Sequence, residues 1–137
     1  MKEFYCTLVG ILGGFIAYLF GGWNAALSAL VIFMTIDFIS GLVVAGVFKK
    51  SSKTKNGALE SKAGFKGICK KFMMLLLVAI GYRLDLLIDT TYIKDSVCIA
   101  FIANELISII ENAGIMGIPI PKVITNAIDV LKGKGDK

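Results

Sequence analysis

Five polar residues share one face of an otherwise apolar stretch near the C-terminal end of the chain, and two of them are acids. They are Asn104, Glu105, Ser108, Glu111 and Asn112. At 100° per residue, a helix places all five within an arc of about 120°. Hydrocarbon cannot solvate two carboxylates, so this face must meet water, other protein or an opposite charge. A short chain has little protein to bury it, and we expect an oligomer in which such faces converge and hydrate.

A third acid, Asp37, lies in the middle of another apolar stretch, with Ser40 one turn later. A charge at the centre of a membrane costs about 2.5–3.5 kcal/mol, so this carboxylate needs a partner, water or a proton. We predict that Asp37 and Ser40 line a pore or contact another helix; the alternative is a polar pair satisfied inside the bundle. Arg83 is a candidate ion-pair partner for Glu105 or Glu111, unless it extends to the membrane surface. Asp85 is expected to face solvent.

The composition identifies the kind of protein that holds these residues. Of the 137 residues, 56% are apolar and only 18% are charged, and the mean hydropathy is +0.78. Soluble domains carry about 25% charged residues because their surfaces must be wetted. The composition therefore excludes disorder, a soluble enzyme domain and a secreted disulfide scaffold, and it predicts an all-α membrane protein.

Four apolar stretches are candidates for membrane-spanning helices. The uncharged run from Phe4 to Ile36 would form a helix of about 50 Å, which exceeds the ~30 Å of hydrocarbon and must contain a break. Gly21-Gly22 loosens the helix, and Asn24 can cap the next one. Pro119 and Pro121 end the last stretch. The predicted spans are 4–20, 23–48, 72–88 and 96–118, followed by a tail, 119–137, with a short amphipathic segment.

The third predicted span is the weakest, because its unbroken apolar core, Phe72 to Tyr82, has 11 residues, whereas a crossing helix needs about 20. The basic loop 49–71 orients the chain, since lysines concentrate on the cytoplasmic side. With that loop inside, both termini are inside as well. We expect its lysines to contact anionic headgroups, although a loop that only sets topology fits equally. The lysines expected to contact the headgroups are Lys49, Lys50, Lys62, Lys66, Lys70 and Lys71.

Other features exclude function classes or indicate contacts. Most of the positive charge lies in one loop and the tail, which does not favour nucleic-acid binding. Three separated cysteines without histidine fit neither a metal site nor a disulfide framework, and we expect no cofactor and no enzyme activity.

Small residues repeat along the first span and allow close helix packing, which favours self-association. They are Gly10, Gly13, Gly14, Ala17 and Gly21.

In order along nearly the whole chain, these segments resemble the bacteriophage holin family, which includes the toxin-secretion holins of clostridia. The resemblance implies a single holin domain, 1–137, in a multi-pass protein of the bacterial cytoplasmic membrane. It further implies a homo-oligomer that opens holes through which an endolysin, or a toxin, leaves the cell. Members are often described with three spans, and the discrepancy falls on segment 72–88. The matching blocks are 21–23, 37–42, 61–68, 70–71, 104–113 and 117–121.

Two other functions fit the same residues. A small proton-coupled transporter or transporter subunit would use Asp37 or Glu105 as its proton site and would show saturable solute flux. An antiholin or other membrane regulator would bind a partner through the basic loop and would cause no permeability.

Overall fold

The computed structural model describes residues 1–135, and the helices in this range confirm the predicted all-α fold. The last two residues of the predicted tail, 119–137, and of the predicted domain lie outside the described residues. A π-helical segment, Val44–Phe48, extends the second helix. The α-helices are α1 (Lys2–Phe20), α2 (Ala25–Val43), α3 (Ser61–Ile88), α4 (Ile93–Ile115) and α5 (Lys122–Gly135).

The break between the first two helices lies where the glycines predict it. Gly21 and Gly22 have φ angles of 71° and 109°, which non-glycine residues rarely adopt. The Asn24 side chain then accepts a 2.9 Å hydrogen bond from the Leu27 amide and caps α2. On either side of this turn, α1 and the helix Ala25–Phe48 are long and apolar enough to cross a membrane.

The third helix begins earlier than predicted. Residues from Ser61 onward belong to α3, so only 49–60 of the predicted loop 49–71 forms a connection. The predicted span 72–88 is the C-terminal part of a 28-residue helix, about 42 Å long. Its N-terminal part carries Lys62, Lys66 and Lys70 at intervals of four residues, which is one face of a helix.

Of the four predicted spans, only the first two correspond to helices in the described residues that are both long enough and apolar enough to cross a membrane. Both α3 and α4 have the length to cross a membrane, with 28 and 23 residues. Neither is among the helices apolar enough to be a candidate span in the described part of the chain. Charged residues along both helices lower their hydropathy. Four spans and the N-in, C-in topology therefore remain predictions.

The core forms around α4, which contacts α2, α3 and α5. Fully buried apolar side chains from three helices meet there, with Leu27 and Leu30 from α2, Val78 from α3 and Cys98 from α4. The predicted amphipathic segment is α5, and its Ile128 is buried. In contrast, α1 contacts α3 and has no buried residue, so nearly its whole surface is left to lipid or to other molecules.

Candidate functional site

Three charged side chains from three helices meet inside the bundle. The Lys71 ammonium on α3 donates to Asp37 Oδ2 on α2 over 2.6 Å and to Glu105 Oε2 on α4 over 2.7 Å. Both acids are almost completely buried, with 5% and 3% of their surfaces exposed. Burial without a partner would strongly disfavour either charge, so the ammonium stabilises both carboxylates.

The helices bring these residues together because all three lie at a similar depth. Lys71 is about 15 Å along α3 from its start at Ser61, and Glu105 is about 15 Å from the end of α4 at Ile115. Asp37 lies at a comparable distance from Phe48, where the helix that contains α2 ends. Those three helix ends lie on the side of the loop 49–60, so the charges form one layer about three turns from it.

Hydroxyl and amide groups occupy the remaining hydrogen-bonding positions of Asp37. The Ser108 hydroxyl donates to Asp37 Oδ1 over 2.5 Å, and the Asn112 amide donates to the same oxygen over 3.3 Å. The Asn112 amide also donates to Ser40 Oγ over 2.8 Å, and the Ser40 hydroxyl donates to the Asp37 carbonyl. We call this set the polar cluster; it consists of Asp37, Ser40, Lys71, Glu105, Ser108 and Asn112.

The structure brings together most of the predicted polar residues but not all of them. Glu105, Ser108 and Asn112 join Asp37 and Ser40 in the cluster, whereas Asn104 and Glu111 are exposed. A single chain thus buries more of this face than its length suggested, because Lys71 supplies the opposite charge. With both acids ionised, the cluster retains one uncompensated negative charge.

The ion pair expected for Arg83 is wrong, because this residue lies at another end of the bundle. Its guanidinium donates to the Tyr18 carbonyl over 2.9 Å and lies 4.2 Å from the centre of the Tyr18 ring. Arg83 therefore connects α3 to α1. The cation that pairs with Glu105 is Lys71, which sequence reasoning placed at the membrane surface with its neighbours.

A second buried polar group was not expected at all. Asp85, predicted to face solvent, is 7% exposed. Its carboxylate accepts hydrogen bonds from the Thr90 hydroxyl at 2.5 Å and from the amides of Ile93 and Lys94 at 2.9 and 3.0 Å. These amides begin α4, where backbone N–H groups lack helical partners, so Asp85 on α3 caps α4.

The small residues of α1 and the surface lysines have few contacts within the chain. A Cβ atom added to Gly10, Gly13 or Gly14 would meet nothing within 4 Å, so these positions face away from the bundle. Gly21 instead packs against the Tyr82 ring. The lysines other than Lys71 that were assigned to the surface are exposed: Lys49, Lys50, Lys62, Lys66 and Lys70.

A cavity of about 220 Å³ adjoins the polar cluster. It reaches from Asp37, Glu105 and Lys71 to the loop 49–60, and Asn104 and Ser108 also line it. The buried charges therefore have access to a space that leads toward the basic side of the molecule.

The sequence is similar to one protein family and to several bacterial and phage proteins. The profile of the bacteriophage holin family matches residues 14–133. The uncharacterized protein Lin0175 of Listeria innocua is 42% identical, over 94% of this chain and 89% of its own length. A probable holin of Bacillus phage phi105 is 31% identical, over 88% of this chain and 84% of its own. No solved structure matches.

Proposed function

We propose that this chain, which belongs to the bacteriophage holin family, oligomerises in the cytoplasmic membrane of a bacterial host and opens holes. An endolysin or a toxin then leaves through these holes. The observation that carries the proposal is the likeness to a probable holin of a phage along most of the chain. The polar cluster inside helices that are otherwise apolar supports it, because a passive membrane anchor has no need of buried acids.

In the closed state of this mechanism, each chain satisfies its own polar groups. Lys71 neutralises one of the two negative charges of Asp37 and Glu105, while Ser108 and Asn112 donate hydrogen bonds to the other carboxylate oxygen of Asp37. The faces that α1 and α2 leave exposed are apolar and suit lipid. A membrane that contains separate chains in this state remains tight.

In the open state, chains that have reached a threshold density rearrange so that the polar face of α4 lines water. Asn104 and Glu111 already lie at the surface beside the buried members of the same face. Rotating or separating α4 would add Glu105, Ser108 and Asn112 to them. The glycines of α1 would hold subunits together, since close backbone approach stabilises helix contacts in lipid.

The basic end of the molecule anchors this assembly. Exposed lysines at the start of α3 and in the loop before it, such as Lys50, Lys62 and Lys66, would contact anionic headgroups. Each contributes about 1 kcal/mol of membrane attraction near the surface. Their position is consistent with a loop that stays on the cytoplasmic side.

One experiment tests the function as a whole. The chain is induced alone in a bacterial host, and membrane potential and release of a cytosolic reporter protein are followed at matched expression. We expect a delay, then abrupt loss of potential with release of the reporter. Saturable flux of a solute without protein release would indicate a transporter, for which the cavity beside Asp37 and Glu105 is the favourable observation. No permeability at any expression level would indicate an antiholin or regulator.

A further inference from the structure

We propose that the polar cluster binds one proton in the folded bundle at neutral pH and that Glu105 carries it as a neutral carboxylic acid. Asp37 and Lys71 then form the ion pair, and the cluster has no net charge. The proton comes from water in the adjoining cavity and returns to it. The inference adds a ligand to the closed state of the proposed function, and it does not require that the chain opens holes.

The three charges at the centre of the cluster do not balance when both acids are ionised. Lys71 Nζ bonds to Asp37 Oδ2 and to Glu105 Oε2, so these two oxygens lie within about 5 Å of each other. Both acids are buried. Two carboxylates that share a buried site resist joint ionisation, because each disfavours charge on the other. One proton removes the negative charge that a single ammonium leaves uncompensated.

Other cations around the cluster do not supply the missing charge. Lys53 and Lys70 line the cavity, but both are exposed, and in the described part of the chain neither forms an ion pair with Asp37 or Glu105. Glu60, in the same wall, adds a further negative charge. The other charged side chains near this end of α3 and α4, and those on α5, which packs against α4, are exposed as far as they are described: Lys62, Lys66, Glu111, Lys122, Asp129 and Lys132.

The hydrogen bonds identify the acid that carries the proton. Asp37 accepts from Lys71 at Oδ2 and from Ser108 and Asn112 at Oδ1. Donors to a carboxylate stabilise its ionised form. Glu105 accepts from Lys71 at Oε2, and no donor among the described residues reaches its Oε1. A proton on Glu105 Oε1 therefore disturbs no hydrogen bond, whereas a proton on Asp37 would displace a donor.

The cavity gives the proton access from one side of the bundle. Its volume is about 220 Å³, which at about 30 Å³ for each water has room for roughly seven waters. It extends from Asp37 and Glu105 to the loop 49–60, and Gly64 and Gly67 keep it open, because a Cβ atom at either position would meet nothing within 4 Å. The cluster therefore equilibrates with the pH on the side of the loop.

The proton links the closed bundle to pH. A glutamate that reaches water is ionised at neutral pH. If α4 turns its polar face to water, as proposed for the open state, Glu105 releases its proton. Acid on the side of the loop then favours the closed bundle, and alkali favours the open one, by up to tenfold per pH unit for each chain that releases one proton.

Infrared spectroscopy detects the proton directly. A protonated carboxyl group has a C=O band that is separate from the bands of a carboxylate. We expect this band for the full chain in detergent at about pH 7, where exposed acids are ionised. It should be lost in Glu105→Gln and kept in Glu111→Gln, an exposed acid on the same helix. Side-chain ¹³C labelling of glutamate should shift the band, and labelling of aspartate should not. A shift with labelled aspartate instead, or the absence of the band, overturns the assignment.

Stability against pH provides a second measurement. The chain has no histidine, so no other side chain ordinarily titrates between about pH 5 and 7. The folded chain binds one proton more than the unfolded chain in this range, so stability falls as pH rises and the unfolding equilibrium constant increases about tenfold per pH unit. Glu105→Gln, a neutral isostere, should abolish this slope, and Glu111→Gln should keep it.

The outcomes separate this proton from the proposed function. A parental slope of zero overturns the proton even if the chain releases a cytosolic reporter. A slope that disappears when sodium is replaced by a large organic cation would assign the compensating charge to a metal ion and also overturn it. The expected band and slope in a chain that releases no reporter would support the proton and contradict only the opening of holes.

Discussion

Lys71 Nζ on α3 lies 2.6 Å from Asp37 Oδ2 on α2, and this contact joins two helices that otherwise touch little. The same ammonium reaches Glu105 on α4 over 2.7 Å. One side chain therefore connects the three helices that carry the candidate site, and its replacement measures how far the stability of the bundle depends on it.

Replacement of Lys71 by methionine should destabilise the chain by about 3 kcal/mol. Removal of one partner leaves buried acids without a cation, and the part of Lys71 that reaches the surface keeps the loss at the low end of the range for buried pairs. Thermal unfolding in detergent, followed by circular dichroism, measures the effect. Lys70→Met is the matched control, because this neighbour is exposed.

The same experiment includes a rescue. Combining Lys71→Met with Asp37→Asn and Glu105→Gln removes all three charges and should recover most of the lost stability. A triple variant no more stable than Lys71→Met would show that the ammonium acts through packing rather than charge.

Asp85→Asn should cost about 1–2 kcal/mol, because an amide has only one oxygen to accept the three bonds that the carboxylate receives from Thr90, Ile93 and Lys94. Chemical unfolding in mixed micelles measures the loss. Asp89→Asn, at an exposed position one turn later, should leave stability within about 0.5 kcal/mol. Equal effects of both substitutions would contradict the capping role of Asp85.

Arg83→Met should loosen α1. The guanidinium bonds to the Tyr18 carbonyl and lies over the Tyr18 ring, contacts that together contribute about 1–2 kcal/mol. A nitroxide on the exposed Cys6 reports the motion of α1 in nanodiscs, with Cys69 replaced by serine and Cys98 left buried. We expect narrower spectral lines in Arg83→Met. Leu87→Met, exposed on the same helix, should not change them, and unchanged lines in both would rule out the tether.

Glu111→Leu should delay release of a cytosolic reporter. If the polar face of α4 lines the hole, a leucine at this position favours contact with lipid over contact with water. The interval from induction to release, at equal protein level, measures this delay. Glu3→Leu, on the exposed N-terminal turn of α1, serves as the control. Timing equal to that of the parent chain would contradict a hole-lining role for Glu111.

The first two helices and part of the polar cluster could be predicted because the relevant information is local. An unbroken apolar run, two glycines and a capping asparagine define α1 and α2. A helical period places Ser108 and Asn112 on one face, and the cost of a buried acid requires partners for Asp37. None of these inferences depends on knowing which distant residue lies opposite.

The partner of Asp37 could not be predicted, because it depends on where α3 begins. A loop that extends to position 71 assigns every lysine to the surface. The spacing of Lys62, Lys66 and Lys70 indicates a helix instead, and Lys71 then points 100° away from that face. The depth that Lys71 shares with Asp37 and Glu105 follows only once the three helices are aligned, and the cap by Asp85 likewise depends on a tertiary contact.

Because α1 has no buried side chain, selection on its sequence for contacts between copies can act separately from selection for folding. Substitutions before its last residue, Phe20, which packs against the core, leave that core as it is, so related chains can diverge there and still fold. If α1 holds copies together as proposed, the density at which a membrane fails can be adjusted one surface residue at a time. The moment of lysis would then evolve independently of the stability of the protein that brings it about.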